Sequence, residues 1–147
     1  MLDVRMIESE MTYNLRHLIL RPNQSIEDSK YDIDHDKGTF HVGAFFQGKL
    51  ISVASFIIER NPDFPIERQY RLRQMATLAE YRKLGAGRAI VIFAEKIIKE
   101  RGFDFIWCKG RTTVQEYYEK LGFEPHGDVF EYPPIGPHII MCKKLVL

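Results

Sequence analysis

The sequence predicts an α/β (α+β) domain in which helices pack on a mixed β-sheet. Segments rich in β-branched and aromatic residues, which are typical of strands, recur along the chain. The longest helical pattern, at 85–101, has one apolar face and lies between two strand patterns, at 70–78 and 103–108. The chain has 147 residues, 45% of them hydrophobic, without repeats or linkers, so we expect residues 1–147 to form a single domain.

The first half of the chain predicts a helix, a loop and a β-hairpin. Apolar residues recur at helical spacing over 12–21, and Pro22 ends this pattern. The polar, turn-rich stretch at 23–38 is expected to be a surface loop. Two β-branched segments, 39–46 and 50–59, are joined by Gln-Gly-Lys, a pattern that predicts a hairpin.

The second half predicts strand, helix, strand, helix and two strands, at 70–78, 85–101, 103–108, 114–121, 128–132 and 138–143. Gly102 suits the end of the long helix, because glycine readily takes the left-handed conformation found there. The nearly continuous apolar run at 103–108 is typical of a strand that is buried on both faces.

Composition excludes several classes of function. The formal net charge of +1 gives no reason to expect a nucleic acid or an acidic membrane as partner. No apolar run approaches the roughly 20 residues of a membrane span, and the N-terminus lacks the apolar stretch of a signal peptide, so we expect a cytoplasmic protein. Cys108 and Cys142 lie in apolar runs and are expected to be reduced, buried thiols. The acidic segment 32–36 lacks the glycine and distal glutamate of a calcium loop, so we expect a solvated acidic loop and no metal.

The segment 82–88, Arg-Lys-Leu-Gly-Ala-Gly-Arg, carries the main functional signal. It follows the strand at 70–78 and opens the long helix. A helix start presents unpaired N–H groups and the positive end of its dipole, which together favour an anion. Gly85 and Gly87 lack the side chains that would keep a pyrophosphate from those N–H groups, and three nearby cations add positive charge. The alternative is a tight turn with solvated basic residues.

Two other phosphate-binding motifs fit this segment less well. A dinucleotide-binding fingerprint needs a third glycine where this chain has Ile90, and its acidic residue should end a strand, whereas Asp104 precedes one. A P-loop is excluded because no Gly-Lys-Ser/Thr occurs. An unrelated nucleotide-binding α/β domain stays open as a further hypothesis.

Two signatures together resemble those of the GNAT superfamily of acyl-coenzyme A-dependent N-acyltransferases. The loop at 82–87 fits the family's R/Q-x-x-G-x-G/A motif, and 114–123, with its Tyr-Tyr-Glu-Lys-Leu-Gly-Phe end, is similar to the family's second signature. The resemblance covers roughly 50–143, and the ending at 136–141 resembles the small ElaA-like branch. It implies a mostly antiparallel central sheet with a splayed strand pair, flanked by helices. It also implies acetyl-coenzyme A (acetyl-CoA) as the donor.

The resemblance assigns roles to individual residues. Backbone N–H groups in the loop would hold the pyrophosphate, while the strand residues Met75 and Thr77 would bond the pantetheine arm. Tyr118 matches the tyrosine that protonates the departing thiolate in many members; its unperturbed pKa of about 10 suits a thiolate of comparable basicity. Aromatic packing is the alternative role for Tyr118. The cofactor-binding residues implied in this way are Met75, Thr77, Arg82, Lys83, Leu84, Gly85, Ala86, Gly87 and Arg88.

The resemblance thus implies an N-acetyltransferase in which the primary amine of a small molecule or peptide attacks the thioester directly. A non-catalytic CoA-binding sensor or assembly module is the alternative. The general base stays open, with four candidates besides a water chain: Glu67, His41, Glu131 and His138. An exposed strand edge near the C-terminus would permit a homodimer.

The acceptor is not identified by the sequence. Arg68, Arg71 and Arg73 form either an exposed basic face or a site for a carboxylate or phosphate on the acceptor. The acidic segment at 32–36 would instead attract a cationic amine, so the two features favour opposite substrates.

Overall fold

The computed structural model describes residues 1–145, whose strands form a seven-stranded sheet in the order β1-β2-β3-β4-β5-β7-β6. Neighbouring strands are antiparallel except for β4 and β5, which are parallel. This arrangement confirms the predicted mixed, mostly antiparallel sheet. The strands are β1 (Leu2–Ile7), β2 (Phe40–Phe46), β3 (Lys49–Ile58), β4 (Tyr70–Thr77), β5 (Phe105–Arg111), β6 (Glu124–Tyr132) and β7 (Gly136–Lys144).

The helices flank this sheet. The helix predicted at 12–21 is a continuous but irregular segment, in which a 3₁₀ turn, three α-helical residues and a π turn follow one another. The predicted loop at 23–38 contains two further 3₁₀ turns. The α-helices are α1 (Tyr13–Leu15), α2 (Ala86–Glu100) and α3 (Gln115–Lys120), and the 3₁₀ turns are Ser9–Thr12, Ile26–Ser29, Asp32–His35, Ala79–Leu84 and Thr112–Val114. Within residues 1–145, no helix is long and apolar enough to cross a membrane.

The core lies mainly between α2 and one face of the sheet. The apolar face of α2, with Ile90, Ala94 and Ile98, is fully buried against β2, β3 and β4. A smaller cluster on the opposite face contains Phe64, Phe105, Trp107 and Ile140. Both cysteines are free thiols, as predicted; Cys108 is buried and Cys142 only half-buried.

The parallel pair β4 and β5 separates soon after it begins. The two strands are in register only at Tyr70–Ile106 and Arg71–Trp107, whereas β4 continues to Thr77 and β5 to Arg111. The two strands thus form the predicted splayed pair, and the space between their diverging ends is called the wedge below. Beyond Arg71, the edge of β4 that faces β5 therefore has no strand partner among residues 1–145.

A β-bulge interrupts β4 on its other edge. Ser55 of β3 is opposite Arg73, and Val53 is opposite Ala76, so a single residue of β3 faces two residues of β4, Gln74 and Met75. Gln74 has a φ of 57°, which a residue with a side chain rarely adopts. Such bulges re-aim the backbone locally and recur beside active sites.

Candidate active site

The glycine loop joins the end of β4 to α2 in the predicted way. A 3₁₀ turn at Ala79–Leu84 ends at Gly85, whose φ of 74° lies in the left-handed region. The first hydrogen bond of α2 runs from the Ala89 N–H to the Gly85 carbonyl, at 3.0 Å. Among residues 1–145, the backbone N–H groups of Ala86, Gly87 and Arg88 thus have no intrahelical acceptor, as at any helix start.

The space around this helix start is open and positively charged. A Cβ built on Gly85 would meet no atom within 4 Å, so nothing obstructs the approach of a ligand to the backbone. Arg82, Lys83 and Arg88 are exposed around the same point. An anion placed here would meet N–H donors, the positive end of a 15-residue helix and three cations.

Tyr117 connects the glycine loop to β4. A Cβ on Gly87 would collide with the Tyr117 hydroxyl group, which also lies 3.5 Å from the sulfur of Met75. Tyr117 is 42% exposed, so its ring stands at the mouth of the wedge between the loop and the bulged strand. The sequence does not reveal this contact, because no local pattern shows that Tyr117 reaches Gly87.

Met75 and Thr77 lie on the part of β4 that borders the wedge, as the resemblance implies. Met75 is half-buried and follows the bulge. The Thr77 hydroxyl is hydrogen-bonded to Ser52 Oγ at 2.7 Å, which attaches the end of β4 to β3. Because β5 has diverged here, the free edge of β4 offers backbone groups to an extended ligand arm.

Tyr118 lies deeper than Tyr117. Its ring packs edge-on against Tyr117 and Phe123, with centroids 5.4 and 5.8 Å apart, and against Gly110 of β5. Burial raises the pKa of the Tyr118 hydroxyl, and the neighbouring Cys108 and Tyr117 add to this shift. Among residues 1–145 the hydroxyl has no hydrogen-bond partner. The group therefore stays protonated at neutral pH, as an acid must, but it is a weaker acid than a tyrosine in water.

The four candidate bases lie in separate surroundings. Both ring nitrogens of His41 are engaged, with Ser55 Oγ at 2.7 Å and the Asp34 carbonyl at 3.1 Å. Glu67 is exposed and 3.3 Å from Arg60, while His138 Nδ1 contacts the Gly136 carbonyl at 2.9 Å. Glu131 lies exposed on β6, at the far edge of the sheet.

The acidic segment at 32–36 differs from the predicted solvated loop at one residue. Asp34 is buried and forms a bidentate ion pair with Arg16 at 2.7 and 2.9 Å; their side chains are 3% and 0% exposed. Arg16 also donates to Ser55 Oγ at 2.8 Å, which links this pair to His41. The prediction was wrong for Asp34 because a buried carboxylate needs a cationic partner, and that partner lies 18 residues away in the chain.

The arginines at 68, 71 and 73 do not form one group. Arg68 is exposed and its Nη1 lies 3.5 Å from the Gly102 carbonyl, away from the wedge. Arg71 and Arg73 share the face of β4 opposite α2. Arg21, at the end of the N-terminal helical segment, reaches the same face and donates to Gln74 Oε1 at 2.9 Å.

Comparisons with known proteins agree with this geometry. Residues 8–123 match the model of the acetyltransferase (GNAT) family. YitI of Bacillus subtilis (strain 168), an N-acetyltransferase described as uncharacterized, is 48% identical over 145 residues, which cover 99% of this chain and 97% of that protein.

Solved structures share the fold. A crystal structure of aminoglycoside 6'-N-acetyltransferase complexed with coenzyme A superposes with a TM-score of 0.76 at 18% identity, covering 99% of this chain and 98% of that one. Escherichia coli ElaA gives a TM-score of 0.69 at 15% identity, with 98% and 100% covered. The family match spans both the glycine loop and the Tyr118 signature, and it favours an enzyme over a non-catalytic module. This chain belongs to the GNAT family of acetyltransferases and is an acyltransferase.

Proposed function

We propose that this protein transfers an acetyl group from acetyl-CoA to the primary amine of a small molecule or peptide, in the cytoplasm and by direct attack in a ternary complex. The observation that carries the proposal is the wedge between β4 and β5, which opens onto the free N–H groups at the start of α2. A diphosphate at the helix start and an extended arm along β4 would use both features.

The residues present fit this donor. The open space at Gly85 admits a pyrophosphate to the backbone, and Arg82, Lys83 and Arg88 supply counter-charge. Met75 borders the proposed path of the arm towards the wedge. The Tyr117 ring lies on the same path. Because the ring is exposed, we expect it to rotate away when the arm enters and then to pack over the bound arm.

The chemistry forms one bond and breaks one. The neutral amine nitrogen bonds to the thioester carbonyl carbon, the carbon–sulfur bond breaks, and the sulfur takes up a proton while the nitrogen loses one. In this proposal, backbone N–H groups near Met75 stabilise the developing oxyanion, since fixed donors act strongly at a desolvated site. Tyr118 gives its proton to the sulfur, water takes up the proton that the nitrogen loses, and solvent returns a proton to Tyr118. Burial raises the pKa of Tyr118, which keeps the hydroxyl protonated and able to donate at neutral pH.

The proposal is tested by binding and turnover of the whole protein. Titration calorimetry with coenzyme A should show one site, and thermal unfolding in millimolar coenzyme A should shift upward by mass action. Release of free thiol from acetyl-CoA should depend on an added amine. Absence of any binding or stabilisation by coenzyme A would contradict the proposal, as would binding without amine-dependent release across a broad panel.

A further inference from the structure

Building on the proposed function, we propose that the acceptor is a small anionic amine, whose carboxylate or phosphate group is bound by Arg21, Arg71 and Arg73. The three guanidinium groups lie on the face of the wedge opposite α2. They form the arginine cluster referred to below.

The alternation of side chains along β4 separates the two sides of the wedge. Tyr70 and Leu72 are buried in the core beneath α2, so Arg71 and Arg73 point to the other face. The N-terminal helical segment packs on that face, where its last residue, Arg21, contacts Gln74. The glycine loop and the arginine cluster therefore serve opposite sides of the wedge.

The cluster carries more positive than negative charge. Arg71 is paired with Glu59 at 2.7 Å, and its Nε is buried without a hydrogen-bond partner. Within the described part of the chain, the Arg21 side chain donates only to the neutral oxygen of Gln74. Among residues 1–145, Arg73 has no carboxylate or other hydrogen-bond partner. Three guanidinium groups thus share one carboxylate.

The cluster is held in a partly desolvated place where unpaired charge is unfavourable. The guanidinium carbons of Arg21 and Arg73 each lie 5.6 Å from the centroid of the Tyr31 ring. Arg71 stacks over Trp107, with 4.7 Å from guanidinium carbon to ring centroid. Burial, together with the neighbouring Arg71 and Arg21, lowers the pKa of Arg73. Cations kept together in such surroundings favour an anionic ligand that would offset their repulsion.

The position of the cluster limits the size of the acceptor. Arg71 belongs to the last register pair of β4 with β5, at the closed end of the wedge. Arg73 precedes the bulge, two residues from Met75, and two residues of extended chain span at most about 7 Å. An acceptor that bridges the cluster and the thioester would have only a few bonds between anion and amine, as amino acids and phosphoethanolamine do.

The experiment compares matched amines that differ in charge, using the whole protein and acetyl-CoA. The pairs are amino acids against their amides, and phosphoethanolamine against ethanolamine. We expect kcat/KM to be at least about tenfold higher for the anionic member, since a charge-assisted hydrogen bond contributes that much. Preference within the amino acid pairs identifies a carboxylate, and preference for phosphoethanolamine identifies a phosphate.

Variants connect that preference to the cluster. Arg73→Met and Arg21→Met should each lower kcat/KM at least about tenfold more for the anionic amine than for its neutral partner. Arg68→Met removes an arginine outside the cluster and should change neither. Calorimetry with coenzyme A and thermal unfolding verify that each variant is folded.

Two results would overturn the acceptor class while the proposed function stands. One is equal or faster acetylation of the neutral or cationic amines. The other is failure to acetylate any anionic amine by a protein that binds coenzyme A. Loss of coenzyme A binding in the unaltered protein would instead contradict the proposed function itself.

Discussion

Substitution of Gly85 by glutamate tests the pyrophosphate site most directly. A Cβ at Gly85 meets no atom within 4 Å, so the new side chain fits without collision. The φ of 74° is unfavourable for any residue with a Cβ, at a cost of about 1–2 kcal/mol. For a chain of this size that cost corresponds to a fall in Tm of about 2–8 °C, so the variant is expected to remain folded.

The added carboxylate should weaken coenzyme A binding far more than it weakens the fold. Two unit charges about 5 Å apart repel by about 0.8 kcal/mol in water and about 3 kcal/mol at an effective dielectric constant of about 20. A diphosphate with about two negative charges near the glutamate would thus lose about 2–6 kcal/mol. Such a loss raises Kd by at least about tenfold.

Two control variants separate charge from backbone strain. Gly85→Ala carries the strain and a Cβ without the charge, so it should lower Tm and raise Kd less than Gly85→Glu does. Gly127→Glu has the same φ of 74° and open surroundings, but it lies on β6 at the far edge of the sheet. Kd is measured by titration calorimetry and Tm by thermal unfolding. A folded Gly85→Glu variant with unchanged Kd would refute the assignment of this loop to the pyrophosphate.

Three further predictions concern single side chains. Tyr118→Phe should lower kcat by about 10²-fold without changing the Kd for coenzyme A, whereas Tyr117→Phe should leave kcat nearly unchanged. Equal thiol-release rates for the two variants would show that Tyr118 has only a packing role. Asp34→Asn leaves the Arg16 charge buried and unpaired, so urea unfolding should show a loss of about 3–5 kcal/mol; a loss under about 1 kcal/mol would contradict this. Burial lowers the pKa of His41 in the folded protein, so as the pH falls the imidazole is protonated in the unfolded chain before it is protonated in the folded one. Stability should therefore fall as the pH drops below about 6.5. Urea unfolding at pH 7.5 and 5.5 should show a smaller pH effect in His41→Gln, and an identical effect would exclude His41 as its source.

The features that the sequence predicted are those that depend on residues close together in the chain. Gly85 and Gly87 mark the turn because their spacing, the strand before and the helix after all lie within one stretch. The β-hairpin follows from two β-branched runs and the turn between them. β1 was missed because it is a short edge strand, in which only Leu2, Val4 and Ile7 are partly buried.

The features that escaped prediction depend on segments far apart in the chain. Nothing in its residue type marks Gln74 for a positive φ, which arises from the bulge against β3. Arg21 lies 53 residues before the glutamine that it contacts, and Tyr117 lies 42 residues after Met75. Arg16 was unexpected because arginine is rarely fully buried, and only the distant Asp34 makes its burial tolerable.

The positive charge proposed to bind the acceptor's anion also bears on the unidentified base. The three arginines carry three positive charges, and Glu59 and the anion of the acceptor carry one negative charge each. One positive charge therefore remains near the amine. A unit charge about 7 Å away disfavours an ammonium ion by about 1–2 kcal/mol at effective dielectric constants of about 20–40. This shift lowers the pKa of the amine by about one unit, which raises its neutral, nucleophilic fraction. The arginine cluster thus reduces the need for a dedicated base, in keeping with the separate positions of His41, Glu67, Glu131 and His138.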